Sequence, residues 1–484
     1  MLSAAALHPA PGRAASGLVP LGTGAVQNGL AGAGSAAAAD AFATVRNPAA
    51  GASLDTQLAL GLDLGLPDGR VRAGEPGTGP GVISFSPDAQ QSVSGLLPGP
   101  QFAYNRRPTP RSAWGLSLSV AGLATEADEG RATYAGSIPG VAASCEGLLG
   151  GGNPLPGSTD RLGLCGGGRS SMRLRLAQAF LATHYAYALD HGLSLGIAPV
   201  LAVQALRIDG FAALAHFSND PAATSDRGYA LSWGLGGRIG LLWQPTGSFA
   251  AGAAYQTPIR MSDSESYAGL LPGAALDVPS SVHGGIALGP VAGQRLLLDV
   301  EHIRYEDSRP LSNPVDAQRL TEQCLLPRLP GLALPLAAGA TPSPSCFGGT
   351  QGPGLGWRNL TVYKAGYEYR HGRLTLRLGY AQSRRPMASE QALAAMVAPA
   401  TSRRHLAAGL SWAGSARWGL DLMLQRALPE AVEGRNPLSQ VQLQLRPAHI
   451  DAGTDEADQR LRAELDVWQL GLGLRRHFAS GSAR

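Results

Sequence analysis

Residues 57–66 read QLALGLDLGL. Leu58, Leu60, Leu62, Leu64 and Leu66 fall on one parity, and Gln57, Ala59, Gly61, Asp63 and Gly65 on the other. A period of two held over such a run is a strand with one apolar and one polar face. The pattern recurs down the chain. Trp114, Leu116, Leu118 and Val120 alternate with Gly115, Ser117 and Ser119, and Leu193, Leu195 and Ile197 alternate with Ser194, Gly196 and Ala198. Trp233, Leu235, Ile239, Leu241 and Trp243 oppose Gly234, Gly236, Arg238 and Gly240. The same alternation governs 374–380, 418–425 and 468–475.

Composition agrees with an all-β reading. Of 484 residues, 65 are Gly and 35 Pro, the two poorest helix formers, with no collagen period. Lys and Arg (39) nearly balance Asp and Glu (35), and the cations are scattered, which excludes a basic nucleic-acid footprint. Charged residues are 15% of the chain, against about 25% in ordinary soluble domains. No stretch is apolar enough for a membrane-spanning helix, whereas the strands of a membrane barrel need only alternate.

Connection lengths decide between a sandwich and a barrel. Tight joins at 190–192, 245–247, 291–294, 371–372 and 414–415 alternate with long Pro/Gly-rich stretches, notably 126–170, 308–356 and 428–463. Short turns at one rim and long loops at the other describe an outer-membrane barrel. Fourteen antiparallel strands are expected, near 54–66, 99–106, 113–125, 171–189, 192–208, 229–244, 248–262, 278–289, 294–307, 358–370, 373–386, 403–414, 416–427 and 465–478. Even parity returns the C-terminus to the short-turn side. Trp114, Trp233, Trp243, Tyr255, Tyr367, Tyr369, Trp412, Trp418 and Trp468 lie near strand ends on the apolar parity, where interfacial girdles belong.

With the strands placed, the N-terminus becomes informative. Asn28-Gly29-Leu30-Ala31-Gly32-Ala33-Gly34-Ser35, followed by residues 41–49 ending in Asn47-Pro48-Ala49, resembles the start of the FadL/TodX family. These are outer-membrane transporters of long-chain fatty acids and hydrocarbons. The resemblance continues in Gly122-Leu123-Ala124-Thr125-Glu126, in Thr133-Tyr134-Ala135-Gly136, in the strand–turn–strand of 233–258, and in 377–381 with Pro386. It implies a hatch, carrying Asn47, Pro48 and Ala49, that plugs the fourteen-stranded barrel. It also implies an inward kink of the third strand, here at Gly122, that opens the wall for lateral exit of substrate. The expected layout is an atypical signal segment at 1–15, a hatch at 16–52, the barrel at 53–478 and a polar tail at 479–484. Independently of the family, small residues from Gly29 to Ala39 allow close backbone packing, and Pro48 forces Asn47 into an extended form.

Capture of hydrophobic small molecules is expected in the loops, with Phe211, Leu214 and Phe217 in one and Leu270 and Leu271 in the next. Lumen parity collects the basic residues Arg173, Arg175, Arg238, Lys364 and Arg377, together with acids including Asp299, Glu301, Glu368 and Asp421. These fit a mutually paired interior, or a cation that receives a carboxylate. Cys145 with Cys165 and Cys324 with Cys346 fall as pairs within two long loops, and a disulfide closing each would contribute on the order of 3 kcal/mol. His184, His302 and His405 lack metal-ligand spacing, and no nucleophile, phosphate or dinucleotide motif stands in its required context. Neither enzyme activity nor a cofactor or metal is expected. The expected partners are outer-membrane lipid and lipopolysaccharide and the barrel-assembly machinery, with no nucleic acid, for a monomer. A general diffusion porin and a surface adhesin on a barrel scaffold are the competing readings.

Overall fold

The structure is a computed structural model that describes residues 15–74, 84–85, 90–93, 97–126, 134–135, 173–209, 218–289, 291–325, 342–388, 391–392, 398, 400–436 and 459–478. One antiparallel sheet dominates it. Of its sixteen strands, Gln90–Val93 and Arg260–Met261 are short appendages. The other fourteen are β1 (Gln57–Ala73), β2 (Leu97–Arg106), β3 (Ser112–Glu126), β4 (Arg173–Ala188), β5 (Leu193–Asp209), β6 (Ala230–Thr246) and β7 (Phe249–Gln256). They continue with β8 (Ser280–Leu288), β9 (Gln294–Arg304), β10 (Leu360–His371), β11 (Leu374–Ser383), β12 (Arg404–Ala413), β13 (Trp418–Arg435) and β14 (Arg460–His477). Each pairs with its sequence neighbours, and β14 pairs with β1 from His477↔Gln57 to Leu461↔Ala73, so the sheet closes on itself. Among the described residues no helix is long and apolar enough to cross a membrane.

The two parities have opposite fates. Leu376, Leu378, Leu420, Leu422, Leu470 and Leu472 are exposed on the outside, while Asp63, Gln101, Asp299, Lys364, Gln425 and Gln469 are buried. This inversion of a soluble core is what a lipid solvent selects: apolar groups outward, polar groups inward. Trp114, Trp233, Trp243, Trp412, Trp418 and Trp468 are all exposed on the outer face.

All fourteen expected strands are present, but their ends differ in instructive ways. β1 runs on to Ala73 through Pro67-Asp68-Gly69, which read locally as a turn, because the ladder with β14 continues through Pro67↔Val467. β13 continues to Arg435, with an irregularity between Ala427 and Glu430 that accommodates Pro429. β7 stops early at Gln256, since Pro258 removes a ladder donor, and the chain re-pairs at Arg260–Met261 against β6.

Above the barrel the connections after β5, β7, β9 and β11 pack together. Tyr267, Tyr305 and Trp357 are fully buried there, with Tyr305 and Trp357 edge-to-face at 5.1 Å. Asn219 Nδ2 donates to the Ser343 carbonyl (2.7 Å) and Ser343 N–H to Asn219 Oδ1 (3.0 Å). Cys324 and Cys346 form a disulfide within this cap; Cys145 and Cys165 lie outside the described residues.

Leu422 sits mid-strand on the outer face. Leu422→Arg is expected to destabilise the barrel by about 2–4 kcal/mol in lipid vesicles, read by urea unfolding. A neutral result would place that face outside the bilayer.

Candidate functional site

The N-terminal segment holds the lumen. It forms two short helices, α1 (Gly24–Asn28) and α2 (Ala43–Arg46), then a 3-10 turn at Pro48–Ser53, and nearly all of 21–54 is buried. Inward-facing side chains from β1, β2, β9 and β10 all reach it, which fixes its place inside the ring. Pro48 opens the 3-10 turn and Asn47 is extended (φ −127°, ψ 102°), as a residue before proline should be. The Asn47 side chain then does three things. Its Oδ1 accepts from Ala49 N–H (3.1 Å), and its Nδ2 donates to the Ser35 carbonyl (3.0 Å) and to the Leu241 carbonyl of β6 (2.9 Å). Gly240 makes this possible, since a Cβ there would sit 2.1 Å from Asn47 Oδ1. Gly196 and Gly379 likewise admit the backbone at Ala49 and Leu30.

The wall reaches back with buried polar groups. Asp299 Oδ2 accepts from Gly34 N–H (3.1 Å) and Ser35 N–H (2.8 Å). Gln101 Oε1 accepts from Gly24 N–H (2.6 Å), and Asn105 Nδ2 faces the carbonyls of Gly51, Leu54 and Asp55. Lys364 Nζ donates to the Leu21 carbonyl and to Glu301, each at 2.7 Å, and Arg46 meets the same two groups at 3.1 and 2.9 Å. The buried Lys364 and the largely buried Arg46 thus share one carboxylate and one carbonyl. Nearer the short-turn end a belt of charge crosses six strands: Arg295, Glu368, Arg377, Ser411, Asp421 and Arg475. Asp40 of the N-terminal segment lies near it, and burial, reinforced by Asp421, pushes its carboxyl up to about 6.

Among the described residues, the ladder between β2 and β3 stops short of the upper end of β3. Their ladder runs from Arg106↔Trp114 to Phe102↔Leu118, and among the described residues Ser119 to Glu126 pair with β4 alone. Pro98 and Pro100 supply the reason. β2 keeps its pairing with β1 through Leu62↔Pro100 and Leu64↔Pro98, so the donors these prolines lack are those that would have faced β3. Beside this interval lies an internal cavity of about 90 Å³. Leu18, Val19, Pro20, Val120, Phe180 and Val278 supply its apolar lining, and Arg46, Arg238 and Glu301 its charged side. Val120 belongs to the outward parity of β3, so an inside cavity meets an outside residue there. Leu18 also packs against the apolar cluster that links the N-terminal segment to the loop cap through Tyr305 and Trp357.

The expected site residues fall as follows. Asn47, Pro48 and Ala49 lie together in the lumen, and Gly122 is half-buried on β3 in the stretch without a β2 partner. Arg238, Lys364 and Arg377 are buried on the inner face, with Arg238 donating to Gln256 Oε1 (2.7 Å). Arg175 is half-buried; Arg173 pairs with Asp209 and Glu126 by backbone, its side chain lying outside the described residues. Leu271 is buried in the loop cap and Leu270 packs against it, whereas Phe211, Leu214 and Phe217 are outside the described residues. Sequence reasoning missed Pro98, Pro100 and Val120, although two prolines in a strand pattern were the available signal.

Asn47→Ala would strand the Ser35 and Leu241 carbonyls, at a cost of about 1–3 kcal/mol. Faster proteolysis of the N-terminal segment in the membrane-embedded protein, with an unchanged barrel melting temperature, is the expected outcome. Equal proteolysis would mean that Asn47 does not hold the segment.

No protein-family model and no curated protein matches the chain. Solved structures do. The toluene transporter TodX of P. putida is 18% identical with a TM-score of 0.56, covering 95% of this chain and 99% of its own. A FadL homologue of Pseudomonas aeruginosa is 17% identical with a TM-score of 0.59 over 96% and 100%. The toluene transporter TbuX of Ralstonia pickettii is 16% identical with a TM-score of 0.52 over 95% and 99%. Over nearly its whole length, the chain therefore has the fourteen-stranded barrel fold of the TodX and FadL-homologue structures.

Proposed function

We propose that the protein carries hydrophobic small molecules across the bacterial outer membrane without an energy source. The N-terminal segment acts as a hatch, occupying about 16–52 and denying water a straight path. Substrate is captured in the apolar loop region that includes Leu270 and Leu271 and passes along the apolar cluster at Tyr305 and Trp357 to the cavity beside Leu18. It leaves sideways between β2 and β3 near Gly122. Chemically, the route suits a molecule that gains from apolar surroundings at every step and needs no aqueous exit. The similar solved structures, described as toluene transporters and a FadL homologue, support the same substrate class, fatty acids or hydrocarbons.

One observation carries this reading: an internal, partly apolar cavity borders Val120 where the β2–β3 ladder is missing. An open porin has no use for such a break, and an adhesin none for a filled, hydrogen-bonded lumen.

Uptake by a host lacking its own hydrophobic-compound channels tests the proposal. Expressing this chain should raise uptake of toluene or oleate without raising that of a small sugar. Val120→Asp, which sets a charge at the aperture, should lower that uptake about tenfold, equivalent to a penalty of about 1.4 kcal/mol. Sugar flux equal to that of the apolar compounds would make the protein a general porin. Unchanged uptake in Val120→Asp would move the exit elsewhere.

A further inference from the structure

The outer surface of β10 to β14 carries a feature that transport does not use. A groove of about 640 Å³ runs along the lipid-facing side, walled by Leu378, Leu406, Leu424 and Trp468 and floored by small residues that include Gly379 and Ala408. Smooth barrels present a continuous apolar band; here small side chains leave a slot between large ones. The slot ends toward the long loops at Arg426, whose guanidinium lies 4.8 Å from the Trp468 ring centroid and pairs with Asp466 at 2.8 Å.

Just beyond, the charge becomes unbalanced. Arg403, Arg404 and Arg385 converge on one carboxylate, Glu430, with Arg404 at 3.2 Å and Arg385 at 3.8 Å. Glu430 is 7% exposed, whereas the three arginine side chains are 45%, 50% and 32% exposed. Among the described residues, one anion meets three partly exposed cations here, which leaves a net positive charge at the rim. The neighbouring pairs Arg426–Asp466, Arg460–Glu433 and Arg462–Glu464 are each neutral. Arg404, Leu406 and Ala408 share the outer parity of β12, so Arg404 joins the slot to the cationic cluster at the rim.

We infer that this surface holds a phosphorylated, multiply acylated glycolipid of the outer leaflet, of the lipid A class. The arginines bind its phosphate and the slot takes one acyl chain. Guanidinium groups match phosphate oxygens in planar, bidentate geometry, and a buried Glu430 holds them in place without neutralising them. A free phosphate would use only the upper part and leave the slot empty; a neutral lipid would use only the slot. The inference rests on the outer-membrane placement and is separate from the substrate route, since none of its residues lines the cavity beside Val120.

Delipidated full-length protein in detergent, melted with lipid A, dephosphorylated lipid A or inorganic phosphate, tests it. Phosphorylated lipid A alone should raise the melting temperature by several degrees. Arg403→Gln with Arg404→Gln should weaken that titration at least about tenfold. Ala408→Trp, which fills the slot while keeping every arginine, should weaken it as well. Uptake of apolar substrate should be unchanged in both variants, so failure of this site is distinguishable from failure of the transport reading. An equal shift with dephosphorylated lipid A or inorganic phosphate, or unaltered titrations in both variants, would overturn the assignment.

Discussion

A bilayer interior offers no hydrogen-bond partner, so a strand that enters it must have both edges paired. Everything else in this protein follows from that constraint. The β14–β1 ladder, from His477↔Gln57 to Leu461↔Ala73, is the seam that removes the last open edge. Once the sheet is closed, its inner face is cut off from lipid and its outer face from water. The sequence accordingly carries leucine on one parity and Asp, Lys, Gln and Gly on the other.

Closure also creates the problem that the N-terminal segment solves. A lumen lined by buried ionisable groups needs partners for them, and the segment supplies backbone. Asp299 accepts two of its amides, Lys364 and Arg46 share the Leu21 carbonyl, and Asn105 takes three carbonyls near its end. Contacts of this kind are individually modest in net worth and expensive to leave unmade. They hold a segment of small residues in one place without a large apolar core. Among the described residues, the β2–β3 ladder stops short where Pro98 and Pro100 remove donors and where the cavity reaches Val120.

Much of the fold was legible because its code is local. A period of two needs only the residue and its neighbours, and fourteen such runs, sorted between short and long connections, name the barrel. The misplaced ends have equally local causes. Pro67-Asp68-Gly69 has turn chemistry, yet β14 pairs across it; Pro258 ends β7 where alternation alone would have continued. Asn47 and Pro48 stood out through a resemblance, and their conformation follows from the proline that comes second. The partner of Asn47, the Leu241 carbonyl 194 residues away, had no trace in the pattern.

By itself, then, the sequence determined the strand number, the face that each residue takes and the kind of solvent outside, because alternation and loop length are properties of short segments. Tertiary structure alone decided which glycines of the wall are obligatory, which charges neutralise one another, where the ladder breaks and which arginines converge on Glu430. Those outcomes depend on register around a closed ring, and register joins residues that no local period relates.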